Sequence, residues 1–124
     1  MNAKKVVLQI VAIALIILGI LRVLANESTF ELFRNKDLWL GDVMMMYIFK
    51  AGGAFILFHG IIFYSISKEY VRFRSIFGPY AFGLLVAGTA MLLVGYFNFL
   101  PVWIYLSDAL FSYFLAIFCF YVRS

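Results

Sequence analysis

The stretch DVMMMYIFKAGGAFILFHGIIFYSIS, Asp42 to Ser67, decides how the chain is read. It is apolar nearly throughout and longer than the ~20 residues that carry a helix across a bilayer core. Yet Lys50 and His59 lie inside the apolar run. A cation at that depth costs roughly 3 kcal/mol unless a partner answers it. The rest of the chain is therefore expected to hold the partner.

Composition points the same way. Of 124 residues, 66% are hydrophobic and only 13% are charged. The mean hydropathy is +1.04, and a soluble domain of this length requires far more polar surface. The chain reads as an integral membrane protein, with lipid as the solvent for most side chains. Its net charge of +4 does not point to nucleic acid. The basic residues flank apolar segments, where they orient the chain and meet lipid headgroups. A single cysteine, Cys119, excludes an intramolecular disulfide.

Working outward, residues 6–25 follow Lys4 and Lys5 and form the first expected helix. A signal peptide is the alternative, with Val23-Leu24-Ala25 as a cleavage site. The apolar core from Val6 to Leu21 is longer than a usual signal core, and Arg22 sits where cleavage prefers a neutral residue. A retained helix is the preferred reading. Residues 26–41, NESTFELFRNKDLWLG, are the one sizeable polar segment. Ser28 to Glu31 fits a capping box, which suits a short amphipathic helix on the outer membrane surface. A loop with aromatic anchors fits the same residues. Asn26-Glu27-Ser28 also matches a glycosylation sequon.

The second helix is expected over 43–66, followed by a short basic turn with Lys68, Arg72 and Arg74. Gly78-Pro79 suits the first turn of a third helix, because proline forfeits no needed hydrogen bond there. No charge occurs from Ser75 to Ser107, and Asn98 and Pro101 mark a tight turn within that run. Helices are thus expected at 76–97 and 101–122. The fold class is all-α, a four-helix membrane bundle forming one transmembrane domain over 1–124. Six Lys and Arg (Lys4, Lys5, Lys68, Arg72, Arg74, Arg123) fall on one side and three (Arg22, Arg34, Lys36) on the other. The excess of positive charge places both termini in the cytoplasm.

Lys50 is eight residues past Asp42, and Asp108 is seven past Pro101. At 1.5 Å per residue they lie about 12 and 10 Å from the same outer face. A buried lysine and a buried aspartate at one depth are expected to pair, with Ser107, Ser112 and Tyr47 as further hydrogen-bonding groups. Such a pair is either a staple between helices or a polar site for a proton, ion or anionic headgroup; without contact, Lys50 snorkels to the surface. His59 is nine residues beyond Lys50 and on the opposite helix face. It is expected to be a structural histidine, with Gln9 as a candidate neighbour. One His and one Cys supply no metal or haem site, and no catalytic set or phosphate loop occurs. No cofactor and no enzyme activity are expected.

Small residues recur at intervals of seven: Gly53 and Gly60 in the second helix, Ala81, Gly88 and Gly95 in the third. Such stripes let helices approach closely. Met44-Met45-Met46 reads as adaptable filler. Four short helices with cytoplasmic termini, a basic residue early in the second helix beside glycines (Phe49-Lys50-Ala51-Gly52-Gly53) and an acid, Asp108, in the fourth together resemble, in topology across about 80 residues, small four-helix bacterial membrane proteins of the DoxX-like kind. That resemblance implies the inner (cytoplasmic) membrane and little about activity. The expected function is a structural or accessory subunit that packs with other membrane proteins or with itself. The alternative is a small oligomeric transporter or channel using Lys50 and Asp108.

Overall fold

Backbone polar groups that enter hydrocarbon must be bonded within their own segment. In the computed structural model, the described residues are 3–25, 43–100 and 102–124, and they meet this demand with helices. Helix α1 spans Ala3–Val23 and α2 spans Val43–Lys68. A short helix α3, Tyr70–Phe73, and a 3₁₀ turn, Arg74–Ile76, lead into α4, Phe77–Phe97, and then α5, Val102–Arg123. Four of these segments are long and apolar enough to cross a membrane, as the sequence predicts. The boundaries differ by a few residues. Helix α1 starts before its apolar run because lysine is a good helix former whose stem can lie along the helix. The outer segment 26–41, with its capping box and sequon, lies outside the described residues.

Contacts divide the chain into two units, Met1–Lys68 and Glu69–Ser124. In the first, α1 packs against α2; in the second, α4 packs against α5. Both pairs are antiparallel. Gly19 of α1 meets Gly53 and Leu57 of α2, while Gly60 meets Ala12 and Ile16. In the second unit Gly78 faces Arg123, Gly88 faces Tyr113 and Gly95 faces Tyr105.

The buried positions show how these contacts arise. On α1 they are Leu8, Ala12, Leu15 and Gly19; on α2 they include Gly53, Ile56, Gly60, Phe63 and Ser67. On α4 they are Phe77, Ala81, Leu84, Gly88 and Gly95, and on α5 they include Ala109, Ser112, Ala116 and Cys119. The steps are three or four residues, apart from the seven between Gly88 and Gly95, a mean period of about 3.5, which is the seam of helices packed at a shallow crossing angle. At least every second seam position is Gly, Ala or Ser. The sevenfold spacing expected on α2 and α4 is thus matched by Ala12 and Gly19 on α1 and by Ala109 and Ala116 on α5. The facing stripes were not apparent from the sequence because alanines and isoleucines fill both faces of α1.

The ends of the second unit are pinned differently. The Tyr70 hydroxyl donates to the Val122 carbonyl, both residues being buried, and fixes the connector to the end of α5. Pro79 falls in the first turn of α4, as expected. At its other end, Phe99 N–H donates to Tyr96 O at 3.3 Å and Leu100 N–H to Gly95 O at 3.1 Å. These two bonds form a Schellman stop, whose left-handed position glycine normally fills. Here Phe99 fills it, with φ of 55°, and the ring is 94% exposed.

Substitution of the glycines follows from the contacts. A Cβ on Gly19 would stand 2.5 Å from Leu57 N and 2.7 Å from Gly53 O, both backbone atoms. Nothing lies within 4 Å of a Cβ on Gly83. Gly19→Ala is expected to lower the unfolding free energy in detergent by about 1–3 kcal/mol, and Gly83→Ala to lower it not at all. Phe99→Gly is expected to raise it by about 1 kcal/mol by removing the left-handed penalty. Denaturant titration followed by circular dichroism reads all three.

Candidate functional site

In the first unit the helix pairing itself places the cation of Arg22. Arg22 ends α1 opposite Gly52 and Gly53 of α2, where the absence of side chains leaves a flat surface. A Cβ at Gly52 would come within 2.6 Å of Arg22 Nη2, and one at Gly53 within 2.9 Å of Arg22 Cβ. The side chain lies in that space. Its Nε donates to the Phe49 carbonyl at 2.7 Å, and its Cζ lies 4.3 Å from the centre of the Phe49 ring. A helical carbonyl has a second lone pair, so Phe49 accepts this bond without leaving its helix. The guanidinium gains a hydrogen bond and a cation–π contact from one residue.

Lys50 follows Phe49 but points about 100° away around the helix, and it is exposed. Tyr47, expected to assist it, is 70% exposed. No acidic side chain occurs among the described residues of this unit. His59 is half-buried, its ring tilted against Phe58 with centroids 6.2 Å apart. Gln9 is also half-buried. The contacts of Gly53 and Gly60 with α1 make opposed residue numbers sum to about 74. His59 is therefore level with about Leu15, and Gln9 with about Ser65. That is an offset of roughly 9 Å along the axes, so the pairing does not bring His59 and Gln9 to one depth.

In the second unit Asp108 is half-buried on α5, beside the buried Ala109. Ser107 is exposed, whereas Ser112 is buried and donates to the Leu84 carbonyl of α4 at 2.7 Å. Ser112 thus serves the α4–α5 seam, as its place between Ala109 and Ala116 requires. Thr89 and Tyr113 join their hydroxyls at 2.9 Å on the exposed edge of the same interface. Tyr113 also packs its ring on Gly88, where a Cβ would come within 2.9 Å of it. Lys50 belongs to the first unit and Asp108 to the second.

Among the described residues no three His, Cys, Asp or Glu gather where a metal ion could be held. Two depressions on the second unit are open and mainly apolar, one along Leu85, Val86, Thr89, Ala90 and Leu93 of α4 and one beside Tyr105 at the Phe99 turn. The site that sequence reasoning missed is the Arg22 contact. Its signal was there: a double glycine in one helix at the depth where a basic residue closes its neighbour.

Comparison with known proteins yields no matching family model, no significant match to a curated protein and no significant match to a solved structure.

Arg22→Gln removes the charged donor from Phe49 and is expected to lower stability in detergent by about 1.5–3 kcal/mol. Arg22→Lys should recover little, because an ammonium has no planar face for the Phe49 ring and no Nε at the right height. Full recovery of the melting temperature by lysine would contradict the contact.

Proposed function

We propose that the chain is a four-span protein of the bacterial inner membrane, with both termini in the cytoplasm, acting as a structural or accessory subunit. It would pack through its helices against other membrane proteins or against copies of itself. One observation carries the membrane reading: only 22–33% of each apolar span is buried. Large apolar side chains such as Ile17 (54%), Phe55 (66%), Phe82 (67%) and Phe114 (70%) are exposed. Water would not tolerate such a surface on four helices, and lipid would.

The charge count supports the orientation. Arg22 is held on the Phe49 carbonyl, so it acts less as a free loop charge than Arg72 or Arg74, which are exposed. The structural role is supported by where the polar groups go. Arg22, Ser67, Tyr70 and Ser112 all donate to backbone carbonyls within their own unit. Such bonds fix helices and leave those groups uncommitted to any substrate.

The proposed pairing of Lys50 with Asp108 belongs to the same reading, supported by their matching depths in the sequence. Asp108→Asn is expected to lower stability in a native-like bilayer by about 3 kcal/mol, and a Lys50→Leu, Asp108→Leu double variant to recover most of it. Equal loss in the single and double variants would reject the staple. If thiol reagents from water label both Lys50→Cys and Asp108→Cys in a Cys119→Ala background, the transporter alternative gains. Orientation is read by reporter fusions: both termini should report the cytoplasm, and a fusion after Asn98 the outside.

A further inference from the structure

The connector and the end of α5 assemble a cationic surface. The 3₁₀ turn Arg74–Ile76 rests against α5, and Tyr70 is tied to the Val122 carbonyl. These contacts bring Arg72, Arg74 and Arg123 to one end of the second unit, all three exposed. Arg72 is engaged with Glu69 at 3.2 Å, an exposed pair. Glu69 is the one acidic side chain at this end among the described residues. Arg123 lies flat on Gly78 at the start of α4, where a Cβ would stand 3.0 Å from its Nη1. The same connector exposes apolar side chains: Val71 is 78% exposed and Ile76 42%.

From this arrangement we infer that Arg74 and Arg123 form a binding site for the phosphodiester of an anionic phospholipid. The inference rests on the membrane-spanning reading, which sets the depth. Helix α4 has 21 residues and α5 has 22, so each crosses about 30 Å, and the arginines at their ends fall at headgroup level. A guanidinium offers a planar fork of donors that matches phosphate oxygens. Exposed Val71 and Ile76 in the same connector favour a lipid over a soluble anion, because acyl chains cover the apolar atoms while the phosphate meets the charge. Two arginines against one already engaged carboxylate give the surface its preference for a net negative headgroup.

The test uses the full chain reconstituted in nanodiscs of phosphatidylcholine, with phosphatidylglycerol of equal chain length titrated in, and native mass spectrometry counting retained lipid. Phosphatidylglycerol should be retained in preference to phosphatidylcholine. Arg74→Gln with Arg123→Gln should weaken that preference about 25-fold, roughly fivefold per arginine. Arg74→Lys with Arg123→Lys, which keeps the charge, should lose less than the glutamine pair and shows that loss is not misfolding. Equal retention of the two lipids, or unchanged preference in the glutamine variant, would overturn the site while leaving the spans intact. Competition by millimolar inorganic phosphate would overturn the lipid assignment. Failure to enter either bilayer would overturn both the site and the spans.

Discussion

Helices that meet in hydrocarbon gain nothing from excluding water, so their attraction has to come from backbone-to-backbone approach and from hydrogen bonds. Both hairpins of this protein fit that constraint. Gly19 sits so close to Gly53 and Leu57 that no Cβ fits between them, and Gly60 is equally close to Ala12 and Ile16. In the second hairpin, glycines face tyrosine rings instead: Gly88 takes Tyr113 and Gly95 takes Tyr105. The first solution brings two backbones together. The second buries an aromatic face against a backbone, and the Tyr113 hydroxyl then finds Thr89.

The polar residues follow from the same geometry. Once helices are this close, a carbonyl of one helix comes within reach of a side chain of the other. Arg22 reaches Phe49 and Ser112 reaches Leu84 in this way. Each bond satisfies a donor that would be costly to leave bare in lipid, and each fixes the register of its hairpin. Phe99 shows the opposite compromise. A bulky residue occupies the left-handed stop of α4, and its exposed ring suits the aromatic belt at a membrane interface.

Much of this fold was legible in the sequence. Four apolar runs of bilayer length, the Pro79 start and the Asn98 turn fixed the helices to within a few residues, and the sevenfold glycines on α2 and α4 marked their buried faces. The stripe on α1 was hidden because Ala12 and Gly19 are set among isoleucines and leucines on every side. Depth could be counted from the chain, but lateral neighbours could not. That is why Ser112, grouped with Asp108 by depth, belongs to Leu84, and why His59 and Gln9 differ in level by more than a helical turn. Arg22 looked like a loop charge because a helix end gives no hint of what its side chain lies against.

The most direct test of two glycine-seamed hairpins embedded in a bilayer is hydrogen–deuterium exchange of the protein in lipid vesicles, resolved by peptide. The central amides of all four long helices, those around Ala12, Gly60, Gly88 and Ala116 included, should remain protected for hours. The connector around Arg72 to Ser75 should exchange far sooner. Complete exchange within minutes in any one of the four helices would contradict a four-span protein.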